Sequence, residues 1–175
     1  MEKKKIKGIV IETDTNNFEN PTKMTFFLTV GTFEKGLHNK VGDQFITNSR
    51  IIDAINAYNT PEGSVIGKFV ADIDHEKKAI VIDDYYPTHK IGYQKIGIAS
   101  FALFRTTEKL RKMFPGFNLR IAKGARTPGQ IHFAKMGLSE DEIPLKEASR
   151  RIRSYVVKGI KERNQDRAIW RRLRH

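Results

Sequence analysis

Polar and apolar residues alternate over residues 5–12, with Ile6, Ile9, Val10 and Ile11 apolar, and this spacing predicts an opening β-strand. A stretch rich in Thr, Asn and Pro at 13–22 predicts a loop. Residues 23–33 (KMTFFLTVGTF) are β-branched and aromatic and predict a second strand, after which 36–43 breaks the pattern. Asn48 or Ser49 is placed to cap a short helix running to Tyr58, with Ile51, Ile52, Ile55 and Tyr58 on one face. The turn NTPEG at 59–63 separates this opening from a more regular pattern. Residues 64–74 (SVIGKFVADID) and 78–86 (KAIVIDDYY) read as strands joined by His75, Glu76 and Lys77, spaced for an antiparallel hairpin. Gly92 and Gly97 punctuate 91–100, which leads into a strongly helical run at 101–114 that Pro115 and Gly116 stop. Residues 117–122 (FNLRIA) predict a short strand, and Thr127-Pro128 opens a helix that ends at Gly137. Two strands, a glycine-bearing turn, a helix, a strand and a helix make an α/β unit whose ligand belongs at a strand-to-helix junction.

Composition adds one feature that the pattern does not carry. The 175 residues hold enough apolar surface for one compact domain, and no repeat or low-complexity tract divides them. The net charge of +12 is unevenly spread: residues 145–175 carry eleven Lys/Arg against three Asp/Glu, whereas the other 144 carry 21 against 17. We therefore divide the chain into a domain at 1–143 and a basic C-terminal segment at 144–175. Such asymmetry suits a polyanionic partner, nucleic acid first, or else a solvated basic face. Cysteine is absent, which removes disulfides, thiolate nucleophiles and cysteine-bound zinc. The five histidines show no metal-ligand spacing, so no metal is expected. No apolar run approaches the ~20 residues of a membrane span. The charged start Met-Glu-Lys-Lys-Lys lacks a signal peptide's apolar core, so the expected location is cytoplasmic, away from membranes.

The chemistry centres on Gln94-Lys95-Ile96-Gly97-Ile98-Ala99-Ser100, entered by a strand and left by a helix. Backbone N–H groups in a helix's first turn have no intrahelical partner, and the helix dipole adds positive charge there. Gly97 and Ala99 leave room for a pyrophosphate to approach those groups. The pattern Gln/Arg-x-x-Gly-x-Gly/Ala before a long helix resembles the acetyl-CoA signature of the GNAT superfamily of N-acetyltransferases. Phe133-Ala134-Lys135-Met136-Gly137-Leu138 resembles that family's Tyr-x-Lys-x-Gly-Phe helix end. The resemblance covers residues 64–138; the first 60 residues do not show the family's strand, two helices and strand. A dinucleotide-binding fold fits less well, because no acidic residue stands on a following parallel strand.

The resemblance implies a mixed, mostly antiparallel sheet flanked by helices. It also implies acetyl-CoA as co-substrate, lying in a V where the strand at 79–86 splays from that at 117–122. Gln94 to Ser100 would hold the pyrophosphate, with Lys95 and Arg105 as further cations. Transfer to an amine needs a deprotonated acceptor, a stabilised oxyanion and a proton for the leaving thiolate. Asp83 and Asp84 stand where the family often holds a base; adjacent strand residues point to opposite faces, so at most one meets the acceptor. Phe133 replaces the family's tyrosine acid, and Arg126 stands in place of its asparagine. Three alternatives stay open: Tyr93, Tyr85 or His132 substitutes, water protonates the thiolate, or the domain binds coenzyme A without transfer. His132 lies ~100° around the helix from Phe133 and reads as a routine exposed or capped histidine.

In the C-terminal segment, Ser139 to Glu142 suits a capping box with Pro144 in the first helical turn. Leu145, Ala148, Ile152, Tyr155, Val156 and Ile160 recur at helical spacing, predicting a helix packed on the domain; the family's terminal strand pair is the competing reading. Arg163, Arg167, Arg171, Arg172 and Arg174 surround Trp170, a composition suited to phosphate contact with base stacking, or to an aromatic anchor in the core. The expected function is transfer of an acetyl group to an amine on an RNA-linked, ribosome-associated or protein acceptor. An inactive GNAT-like module that binds nucleic acid and a small-molecule amine acetyltransferase are the rivals. Association into a homodimer is left open.

Overall fold

The computed structural model describes residues 4–34, 45–83, 86–87, 97–123 and 128–173. β1 (Lys5–Thr15) and β2 (Lys23–Glu34) pair antiparallel along their whole length, from Lys5 opposite Glu34 to Thr15 opposite Met24. β1 outruns its predicted end by three residues, and Asn16 closes the ladder there: its side-chain oxygen accepts from the N–H groups of Thr22 and Lys23, each at 3.1 Å. Along β2, Met24, Phe26, Leu28 and Val30 are buried at every second position, with Thr29 buried as well. β3 (Phe45–Ile46) pairs with β1 on its outer side. Gly8 permits this approach, since a Cβ there would stand 2.5 Å from the Phe45 ring and 2.6 Å from the Ile46 carbonyl oxygen. α1 (Ser49–Ala57) follows, capped by Asn48, whose side-chain oxygen accepts from the Ile51 N–H at 3.0 Å. This opening differs from the family's, as its one described helix comes after three strands.

β4 (Val65–Asp74), β5 (Ala79–Ile82), β6 (Tyr86–Pro87), β7 (Asn118–Ile121) and β8 (Ile143–Pro144) complete the sheet, in the order β3-β1-β2-β4-β5-β7-β8 with β6 paired to β4. Among the described residues only β5 and β7 run parallel; α2 (Ile98–Met113) crosses between them. The architecture is α/β, with a mixed, mostly antiparallel sheet flanked by helices, consistent with a GNAT-like fold. Phe26, Phe69, Ile80 and Ile82 of the sheet share one buried cluster with Leu103 and Leu110 of α2, Phe133 of α3 (Pro128–Lys135) and Ile152 of α4 (Leu145–Leu173).

Two expectations are corrected. The strand at 79–86 does not part from its neighbour over its first half: Ala79 to Ile82 pair with Asn118 to Ile121, and the Ala122 N–H still reaches the Ile82 carbonyl at 3.0 Å. Beyond Ile82 the register against β4 changes. The pairing passes from Ala71↔Ile82 to Lys68↔Tyr86, a shift of one residue in register. Pro144 is not in a helical turn; it pairs with Asn118 in β8, and the Ser139 hydroxyl accepts from the Asp141 N–H at 3.1 Å, a local turn ahead of the helix. The segment after it forms a single helix of 29 residues, the element its spacing predicts, and the competing strand pair is not formed. Its buried stripe is Leu145, Ala148, Ile152 and Val156, whereas Ile160 is exposed.

α3 ends as its sequence requires. The Leu138 N–H reaches the Phe133 carbonyl at 3.1 Å and the Gly137 N–H reaches that of Ala134 at 3.0 Å, with Gly137 at φ 83°. This is the Schellman arrangement, in which glycine takes the left-handed position without a Cβ penalty. Arg151 of α4 adds a cation there, donating to the Gly137 carbonyl at 2.7 Å.

Candidate functional site

α2 begins at the carboxyl end of the β5–β7 pair, because it must return the chain from the end of β5 to the start of β7. Gly97 is its N-cap, at φ 82° and ψ 10°, and makes no side-chain cap bond. An L side chain is disfavoured in that conformation, so glycine sets the angle at which the helix opens. Ile98 turns into the core, Ala99 is half-buried and Ser100 is buried. The Phe101 N–H donates back to the Gly97 carbonyl at 3.2 Å, leaving those of residues 98–100 without an intrahelical acceptor.

Gly97, Ala99 and Ser100 line a cleft of about 960 Å³, at the upper end of the ~300–1,000 Å³ usual for small-molecule sites. α4 forms the opposite wall. It lies antiparallel to α2: the Ser149 hydroxyl donates to the Glu108 carboxylate near one end of α2, and Tyr155 to Gly159 face the other. Cations from three helices line the cleft, Arg50 from α1, Lys135 from α3, and Arg150, Arg151 and Lys158 from α4, against one carboxylate, Glu162. Glu147 orients two of them, accepting from Arg150 at 2.6 and 2.9 Å and from Arg151 at 3.0 Å. Its carboxyl is held down at about 2, chiefly by the hydrogen bonds from Arg150 and then Arg151. A lined, positively charged cleft opening on a helix N-terminus can take a multiply charged anion.

His132 is not the routine histidine expected. It is half-buried, lines the cleft and places Nε2 3.2 Å from the Ser100 hydroxyl oxygen, with its ring edge-on to Tyr155 at 5.7 Å. Burial first, and Lys135 second, push its pKa below the usual 6.5. The histidine's place on α3 was legible, but α4, the element that encloses it, belongs to a different part of the chain.

Gly97, Ile98, Ala99 and Ser100 thus stand together at the helix start, while Gln94, Lys95 and Ile96 lie outside the described residues. Of the catalytic candidates, Asp84 and Tyr93 also lie outside them. Asp83 is half-buried at the end of β5, its N–H donating to the Val70 carbonyl at 2.8 Å, and it does not line the cleft. Nor does Arg105. Phe133 is 1% exposed and packs its ring 6.3 Å from that of Phe69, so the residue in the family's tyrosine position belongs to the core here. Arg163, Arg167, Trp170, Arg171 and Arg172 belong to α4, and Arg174 lies outside the described residues. Among the described residues no group of three or more His, Cys, Asp or Glu could hold a metal ion, and no helix is long and apolar enough to cross a membrane.

Sequence reasoning missed Arg50, Tyr155 and Lys158 as cleft residues. Each looked like an ordinary helix position, and no local signal distinguishes it. Comparison with known proteins yields no match to a family model, a curated protein or a solved structure.

Proposed function

We propose that this protein is an acetyl-CoA-dependent N-acetyltransferase acting on an amine of an RNA-linked or protein acceptor. The observation that carries the reading is Gly97, left-handed at the N-cap of α2 and opening into a cleft lined by cations from three helices. These residues fit a coenzyme A pyrophosphate: the N–H groups of the first turn, which have no intrahelical acceptor, would donate to its oxygens, and Ala99 leaves the approach clear. Lys135, Lys158 and Arg50 offset its charge. Bound there, the coenzyme would supply a thioester whose thiolate is a fair leaving group, so a missing tyrosine acid slows transfer without forbidding it. The chain's own task is then to hold the acceptor amine deprotonated, a role we assign to Asp83 or Asp84, where the resemblance places a base.

The test is calorimetric titration of acetyl-CoA into the full chain, followed by thiol release on adding amine acceptors, aminoacyl-tRNA and basic peptides among them. Micromolar binding with acceptor-dependent thiol release is expected. A well-folded protein that binds no acetyl-CoA would sink the enzyme reading.

One observation favours nucleic acid on the acceptor side. α4 runs 14 residues beyond Gly159, roughly 21 Å past the start of α2 at 1.5 Å per residue. That length holds Arg163, Arg167, Arg171 and Arg172. A chain ended after Glu162 keeps the buried stripe of α4, and we expect it to fold while losing salt-sensitive RNA binding. Single-stranded binding weakens with log salt by about 0.7 per phosphate contact, so the parent's slope should be steeper by roughly 2–4. Equal slopes for the two chains would exclude the overhang as an RNA contact and leave a protein or small amine as acceptor.

A further inference from the structure

The Ser100–His132 pair stands apart from the other cleft residues, because among the described residues it is where a titratable ring touches the turn at the start of α2. We infer that His132 is a proton-linked ligand contact: an organic phosphate entering the cleft at Ser100 binds together with one proton taken up from solvent by the His132 ring. The inference rests on the reading that the cleft takes a coenzyme pyrophosphate, and it adds how occupation is coupled to pH.

The geometry supplies the coupling. His132 Nε2 lies 3.2 Å from the Ser100 hydroxyl oxygen, and a neutral Nε2 accepts that hydroxyl's proton as a hydrogen bond. The groups facing the ring favour the neutral form. Its own helix presents Lys135; α2 presents Ser100 and Phe101, neither charged; α1 presents Arg50. α4 presents Tyr155 in edge contact, with Arg150, Arg151, Lys158 and one carboxylate, Glu162, along the same wall. Glu147 offsets Arg150 and Arg151 by direct ion pairs. Burial and Lys135 accordingly hold the ring below its ordinary pKa.

A phosphate placed among these groups reverses the local field and favours the charged ring. Protonation also exchanges the hydrogen bonds. Nε2 becomes a donor, so the Ser100 hydroxyl no longer donates to it and is released to donate to a phosphate oxygen. One proton moves from solvent to Nε2, and no covalent bond changes. The sign follows from linkage: a ring whose pKa is low when free and raised when bound makes affinity increase as pH falls through the bound value. The increase ends below the free value, where both states are protonated. Each unit of difference between the two is worth about tenfold in affinity.

The experiment is calorimetry of inorganic pyrophosphate and, separately, of coenzyme A, in buffers of different ionisation enthalpy between about pH 6 and pH 8. The full chain is compared with His132→Gln, which cancels the ligands' own titration. The parent is expected to take up as much as one proton more than the variant and to gain about tenfold more in affinity on acidification. NMR titration of the parent's ring, identified by its contact with Tyr155, gives the same answer without a variant: its pKa should rise on saturation with pyrophosphate. Coenzyme A binding with no difference between parent and variant, or no movement of the ring's titration, overturns the inference and leaves the coenzyme reading standing. Proton-linked pyrophosphate binding without coenzyme A binding does the reverse. A folded protein that binds neither overturns both.

Discussion

Phe133→Ala is expected to remove about 3–5 kcal/mol of unfolding free energy, the usual loss for a buried aromatic. Phe133 is 1% exposed, its ring packs against Phe69, and both belong to the one buried cluster that joins the sheet to α2, α3 and α4. Its neighbours are held by three different elements, so the space left by the ring cannot close without moving a helix. Its carbonyl also receives the Met136 and Leu138 N–H groups that end α3, so the helix end and the core meet at one residue. Domains of this kind have about 5–15 kcal/mol in total, and the loss should lower the melting temperature on the order of 10 °C. Urea unfolding followed by circular dichroism measures it. A midpoint within error of the parent's would mean that the ring is not in the core.

Gly97→Glu is expected to weaken coenzyme A binding at least about a hundredfold while leaving a folded protein. Two effects add. Gly97 is at φ 82°, where an L residue costs about 1–2 kcal/mol. The carboxylate would then stand beside the N–H groups that the pyrophosphate needs, and like charges brought together cost several kcal/mol, with each 1.4 kcal/mol equal to tenfold in affinity. Gly97→Ala separates the two, since it carries the strain without the charge and should bind with a much smaller loss. Titration calorimetry on both variants reads the difference. Parent-like affinity in Gly97→Glu would move the coenzyme to some other part of the surface.

The two variants also separate what was legible in the chain from what was not. The Gly97 turn was legible because a helix opening on a left-handed residue needs glycine, and that need is local. The end of α3 was legible for the same reason: Gly137 is the only residue of its stretch free to take φ 83°. The role of Phe133 was not. The resemblance made it a tyrosine position near the reacting thiol, but whether a ring there meets a ligand or the core depends on Phe69, 64 residues away in sequence.

By itself the sequence determined the elements whose causes lie within a few residues. The β-branched and aromatic run at 23–33 made a strand, whose Met24, Phe26, Leu28 and Val30 turn out buried; Asn48, one of two candidate caps, caps α1; the 3.6 repeat made 145–156 a helix with one buried stripe. It failed where a partner outside the window decides. Pro144 reads as a helical first turn, yet it pairs with Asn118 and Ile143 with Leu119 of β7, and strand pairing there draws the start of the helix to Leu145. Only the tertiary structure decided the cleft. It needs α4 packed antiparallel on α2, so that Tyr155 and Lys158 face Ser100 and His132, and it needs Arg50 brought in from the opposite part of the chain. Local propensity acts over one turn of helix or one pair of strands, whereas these residues meet because burying the α4 stripe places them there.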